Sequence, residues 1–302
     1  MPNWKEILDE IQATGSTHDF IRRKYLENLC SVTGRNVIIY YSGWLQKPNL
    51  PGIEVNDADK NGFMNAIYGL DSSKGLDLLL HTPGGDAAAT ESLVDYLHSM
   101  FGYNIRAVVP QLALSAGTMI ACACKEIIMG EHSSLGPIDP QLRGIPAHGV
   151  VEEFNRAKEE VQANPSTIPI WQPIIAKYSP AFVGECEKAI AWSDQMVTDW
   201  LVHGMFSSKT KAKARANKVL RELGSHALTK SHNRHLSLAK CRQSGLEVKR
   251  LEDDPALQDA VLSVHHACIH TLSATGAYKI IENQHGKAFI QMVQQVVVKK
   301  SS

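Results

Sequence analysis

Leu76-Asp-Leu-Leu-Leu-His-Thr-Pro-Gly-Gly85 opens as an apolar run of strand length and ends in a proline–glycine turn. A helical pattern follows over about 86–101, then the β-branched run Ile105–Val109, then Leu112-Ala-Leu-Ser-Ala-Gly-Thr118. Working outward, Asn36–Tyr41 reads as a buried strand and 57–69 as a helix on one side. On the other side lie a helix over 116–124 and the strand Glu126–Met129. Strand and helix alternating through short connections predicts parallel βαβ units and a sheet covered on both faces.

The two turns carry the chemistry. Glycines 84 and 85 allow a sharp reversal and leave bare N–H groups beside a helix start. Such a turn suits an oxyanion hole or a phosphate site, and it also serves where a strand simply enters a helix. Ser115 stands where a nucleophilic serine gains most, exposed at a strand end with the next N–H facing a developing oxyanion. The same position is equally that of an N-cap serine. Both turns fall at the C-terminal ends of adjacent predicted strands, where open α/β sheets place their sites. One supplies Ser115 and the N–H of Ala116, the other the N–H groups of Gly84 and Gly85.

The remainder of the chain is mainly helical in pattern. Residues 4–30 read as two helical segments, the second from about Thr17. Beyond 147, helices are expected at Val150–Gln162, Trp171–Tyr178, Ala181–His203 and Ser208–Leu223, with a tail helix from Asp254 and a last strand-like run at Phe289–Val298. At 302 residues, 44% hydrophobic and 21% charged, the chain buries a substantial core. Lys+Arg and Asp+Glu both total 31, so no net field draws nucleic acid or acidic lipid. The six cysteines are scattered, and Cys122 and Cys124 read as small core residues rather than metal ligands. His265, His266, Cys268 and His270 share the tail helix without completing a known metal motif, so no metal and no cofactor is expected. The basic run from Lys209 to Lys218 reads as a solvated helix face. No signal-peptide pattern and no spanning apolar run are apparent, which makes the cytoplasm the default expectation.

The order His81-Thr-Pro-Gly-Gly85, Ser115-Ala-Gly-Thr118 and Ile127-Ile-Met-Gly-Glu-His-Ser-Ser-Leu-Gly-Pro-Ile-Asp139-Pro-Gln141 resembles the serine dehydrogenase proteinase family. These proteins are Clp-fold relatives of the Clp proteolytic subunit and of signal peptide peptidase A. The likeness covers roughly 70–142 and resumes at His232-Asn-Arg-His-Leu-Ser237 through Gly245-Leu-Glu-Val248. It implies Ser115 as nucleophile and Gly84, Gly85 and Ala116 as the oxyanion hole. Where the Clp subunit has its catalytic histidine this chain has Ile138-Asp139, and where it has its aspartate this chain has His232-Asn233. The residue types are exchanged, but a triad needs no fixed chain order, and Ser115, His232 and Asp139 meet its requirements. His232 is preferred over His235. Lys177 is the alternative base, as in membrane-associated relatives that pair serine with lysine, and Lys158 is a weaker one.

The expected fold is thus α/β, a Clp/crotonase-type ββα spiral with helical additions at the N-terminus, in 143–205 and at the C-terminus. The corresponding segments are 1–35, a protease domain at 36–250, and a C-terminal extension at 251–302. The resemblance implies a serine endopeptidase acting on peptides or unfolded protein, assembled as a homo-oligomer. Without a Walker-type loop, any ATPase unfoldase would be a separate chain. An acyl-CoA enzyme of the crotonase type and a non-catalytic scaffold of the same fold are the alternatives.

Overall fold

The computed structural model describes residues 4–14, 18–225 and 231–293. Its centre is a seven-stranded sheet. In chain order the strands are β1 (Asn36–Ser42), β2 (Leu76–His81), β3 (Ile105–Val109), β4 (Leu112–Ala113), β5 (Glu126–Met129), β6 (Ser134–Leu135), β7 (Gln141–Leu142), β8 (Ile145–Pro146), β9 (Leu236–Ser237), β10 (Val248–Arg250), β11 (Ala277–Asn283) and β12 (Ala288–Met292). The main sheet runs β10-β5-β3-β2-β1-β11-β12. Its first five members are parallel, whereas β11 and β12 are antiparallel to their neighbours. A small second sheet joins β4, β6 and β9. This is the α/β architecture expected, with the four strands from 36, 76, 105 and 126 falling where the apolar runs placed them.

Period-two burial explains how both faces are covered. Ile38, Tyr40, Leu78, Leu80, Ala107 and Val109 face one core, formed with α3 (Asp59–Ile67), α4 (Ala87–Phe101), α5 (Ala116–Cys122), α8 (Phe182–His203) and α9 (Ala212–Gly224). Val37, Ile39, Tyr41, Leu79 and Val108 face the other, formed with α1 (Trp4–Thr14), α2 (His18–Thr33) and α11 (Pro255–Ala274). The additions over 143–205 are α6 (Ala147–Ala163), α7 (Ile168–Ile175) and α8, where Ala147, Val150, Phe182 and Cys186 make a third, smaller core. A short helix, α10 (Leu238–Ser244), links β9 to β10.

The tail adds more than its helix. β11, absent from the sequence expectation, lies wholly inside the sheet against β1, and β12 covers only the start of the last expected strand. Residues 294–298 of that strand, and Thr17 at the start of the second N-terminal segment, lie outside the described residues. Lys279, Glu282 and Asn283 of β11 are buried, a polar content that hides a strand from a hydrophobicity reading. Each has a partner: Glu282 accepts from Arg22 and Arg23 at 2.5 and 2.6 Å, and Asn283 donates to the Ala66 carbonyl at 2.6 Å. Asp77 in β2 is likewise held by Arg35 and Arg106, both at 2.7 Å. Burying these charges costs less because each is paired and hydrogen-bonded.

His81 ends β2 among aromatic rings. Trp44, Tyr41 and His265 have ring centres 4.4, 5.3 and 5.6 Å away. Among the described residues neither ring nitrogen of His81 has a hydrogen-bond partner. Burial drives its pKa from 6.5 down to about 3. His265, bonded through Nδ1 to the Tyr41 hydroxyl at 3.1 Å, is held low first by burial and then by His81, His266 and His132. Both imidazoles stay neutral in the folded chain, while unfolded chains take up protons below about pH 6.5. Stability is therefore full above that pH and is lost progressively as pH falls toward the folded value. Thermal midpoints measured from about pH 7 to about pH 4 should fall steadily, and His81→Phe should flatten the decline. An unchanged slope in that variant would refute the assignment.

Candidate active site

Thr82 joins the two turns. Its N–H donates to the Leu112 carbonyl at 3.1 Å and its carbonyl accepts from Leu114 at 3.0 Å, a parallel bridge to Ala113. Its methyl packs so closely that a Cβ on Gly117 would lie 2.6 Å from Thr82 Cγ2. The glycine turn and the serine turn are thereby one unit. On the outer side, Val55 donates to the Gly84 carbonyl at 2.8 Å and accepts from Asp86 at 2.9 Å. A side chain at Gly85 would strike the Val55 backbone at 2.3 Å, so only glycine allows this approach.

Ser115 precedes α5 with φ 50° and ψ −115°, outside the extended region that a capping residue adopts. Its side chain makes no cap hydrogen bond. The structure thus removes the N-cap reading. A non-glycine residue at such a φ costs about 1–3 kcal/mol and persists where its surroundings enforce it. Gly136 lies 3.2 Å from the Ser115 nitrogen, measured to the Cβ position that glycine leaves vacant. Thr118 Oγ1 donates to the Ala113 carbonyl at 2.8 Å and accepts from Gly136 at 2.9 Å. The enforcement is steric on one side and hydrogen-bonded on the other.

The amides near the serine are unequally occupied. Gly84 already donates to Thr82 Oγ1 at 3.2 Å, so its N–H is committed. The N–H groups of Gly85 and Ala116 have no acceptor among the described residues. Of the three residues expected to offer amides to an oxyanion, these two have theirs free.

The segment after Gly136 is tied to α9, with Ile138 donating to the Leu223 carbonyl at 3.0 Å. It delivers Asp139 to a buried position, where Oδ1 lies 2.9 Å from Nδ1 of the partly exposed His232. Donation to the carboxylate uses the Nδ1 side of the ring and leaves Nε2 unengaged by Asp139. A cleft of about 450 Å³ is lined by Glu54, Gly84, Gly85, Ser115, Asp139, Trp192 of α8 and His232. Lys177 lines a different cavity, with Arg143, Tyr178 and Phe182. Lys158 and His235 are exposed elsewhere. Sequence reasoning missed Val55, Thr82 and Thr118, although Thr82 stands inside the motif it singled out.

A mostly parallel α/β sheet thus presents a strained serine beside a glycine turn and a histidine–carboxylate pair on one cleft. The chain belongs to the ClpP-like SDH-type serine proteinase family, whose profile matches residues 40–256. Two proteins of Methanocaldococcus jannaschii are similar to it. Uncharacterized protein MJ1495 is 28% identical over 190 residues, 63% of this chain and 57% of that protein. Uncharacterized protein MJ0137 is 39% identical over 94 residues, 31% of this chain and 32% of that protein. The chain therefore spans little more than half of one relative and about a third of the other. No helix among the described residues is long and apolar enough to cross a membrane.

Gly84 provides a direct test of the turn geometry. At φ 99°, an added Cβ would lie 2.6 Å from Ser115 Cβ and 2.7 Å from the Leu114 carbonyl. Gly84→Ala should therefore cost more than about 2 kcal/mol in urea denaturation. Gly102→Ala, at φ 57° but with nothing within 4 Å, should cost only about 1–2 kcal/mol.

Proposed function

We propose that this chain is a serine endopeptidase that cleaves peptide bonds through an acyl-enzyme on Ser115. The observation that carries the reading is the His232–Asp139 pair opening onto the same cleft as the strained Ser115. His232 Nε2 takes the proton from Ser115 Oγ as the oxygen attacks the peptide carbonyl, while Asp139 stabilises the imidazolium. The tetrahedral oxyanion is held by the N–H groups of Gly85 and Ala116. Collapse breaks the C–N bond, and His232 returns the proton to the leaving amine. Water, deprotonated by the same nitrogen, then releases the acyl group and restores Ser115.

Family membership supports a peptide or unfolded-protein substrate and a homo-oligomer. The proposed enzyme is cytoplasmic, with any ATPase unfoldase a separate chain. Ile168 and Ile170 of α7 expose 46% and 64% of their surface, apolar area that subunit contact would cover. The cleft adds a charge preference. Glu54, Asp86 and Asp139 line it and, among the described residues, no lysine or arginine does. Asp86 caps α4 and Asp139 holds His232, which leaves the exposed Glu54 carboxylate to meet substrate.

Fluorophosphonate labelling tests the nucleophile and the base together. Labelling should vanish in Ser115→Ala, fall by about 100-fold or more in His232→Ala, and persist in Lys177→Ala. An unlabelled, folded wild type, particularly one stabilised by acyl-CoA, would instead favour the crotonase or scaffold alternatives. In matched peptide series, kcat/KM should be higher for lysine- or arginine-containing substrates than for their glutamate counterparts. Glu54→Gln should narrow that gap by about 5-fold. Equal rates across the series would remove the preference.

A further inference from the structure

Two sets of buried hydrogen bonds that no step of the proposed mechanism uses reach the glycine turn. In one, Lys279 of β11 donates through Nζ to Asp59 Oδ1 at 2.7 Å. Asp59 Oδ2 accepts from the Tyr40 hydroxyl at 2.6 Å. The other is local to the turn. Thr82 Oγ1 accepts from the Gly84 N–H at 3.2 Å. Lys279, Asp59, Tyr40 and Thr82 are each at most 1% exposed.

A hydroxyl oxygen can accept, which is what the Gly84 N–H requires of Thr82. The Lys279–Asp59 ion pair reaches the turn by a separate route. Lys279 Nζ also donates to the Glu54 carbonyl at 2.7 Å, and Asp59 Oδ2 accepts from the Asn56 N–H at 3.0 Å. Those contacts fix both neighbours of Val55, the residue whose backbone pairs with Gly84 and Asp86.

We infer that Thr82, together with the Lys279–Asp59 pair that holds the neighbours of Val55, is a positioning residue that sets the Gly84–Gly85 turn for oxyanion binding. By occupying the Gly84 N–H, Thr82 fixes the peptide plane on which the orientation of the free Gly85 N–H depends. The inference deepens the proposed hydrolysis and rests on it for its kinetic consequence. It also makes the C-terminal hairpin part of the working site, although β11 lies outside residues 40–256, where the family profile matches.

The test compares Thr82→Val, which keeps the shape and loses the acceptor, with Thr82→Ser, which keeps the acceptor, and with Tyr40→Phe, which cuts the link to Asp59. Peptidase kinetics of the full chain should show kcat reduced about 10- to 100-fold in Thr82→Val with KM within about 2-fold. Thr82→Ser should restore kcat to within about 3-fold, and Tyr40→Phe should fall between them. Hydrogen exchange at Gly84 and Gly85 is followed in the same proteins, a readout that needs no turnover. Faster exchange there in Thr82→Val than in Thr82→Ser, at matched thermal midpoints, is expected. Unchanged exchange, or a serine variant as impaired as the valine one, would overturn the inference. Loss of peptide hydrolysis and fluorophosphonate labelling in the wild type would strike the proposed function alone, because the exchange comparison would still decide the role of Thr82.

Discussion

Two backbone hydrogen bonds join Thr82 to Leu112 and Leu114, and the union of the glycine and serine turns depends on them. Each turn alone is an ordinary strand-to-helix connection. Locked as one unit, they place a strained serine against a glycine pair at a separation that rigid backbone, rather than mobile side chains, determines. Ser115 keeps its positive φ because Gly84, Gly136 and Thr118 close around it, and the glycines are needed because Cβ atoms would collide. Strain that costs about 1–3 kcal/mol at one residue is sustained by a core whose burial is far larger in scale.

Much of this was legible in the sequence, for a physical reason. Parallel strands buried on both faces must be nearly continuous apolar runs, and Leu76–Leu80 and Ile105–Val109 are such runs. Turns that admit only glycine mark themselves, and the two glycine-bearing turns pointed to Ser115, Gly85 and Ala116. The pairing of His232 with Asp139 rested on resemblance and on the rule that a base needs a carboxylate. The structure brings these two side chains within hydrogen-bonding distance across 93 positions of sequence.

What the sequence hid was polar and distant. β11 carries Lys279, Glu282 and Asn283 into the interior, and no hydrophobicity pattern marks a strand whose buried residues are charged. Their partners, Asp59, Arg22 and the Ala66 carbonyl, lie more than 200 positions away, beyond any local rule. Thr82 was hidden differently. Beside a conspicuous proline and two glycines it reads as a spacer, and only the structure shows its hydroxyl oxygen holding the Gly84 N–H. The lysines considered as bases illustrate the converse, since nothing in a helical pattern reveals that Lys177 opens onto a different cavity from Ser115.

The span between Asp59 and Lys279, 220 positions, has a consequence in time as well as in space. A chain emerging from the ribosome exposes Ser115, Asp139 and His232 well before β11 has been made, and domains assemble as their segments emerge. Until then Asp59 lacks its counter-charge, the Glu54 carbonyl lacks its donor, and the strand that flanks β1 is missing. Contacts this remote in sequence are also the slowest to close. On the proposed function, the nascent protein therefore carries Ser115, Asp139 and His232 on a scaffold that stays unfinished until β11 has been made.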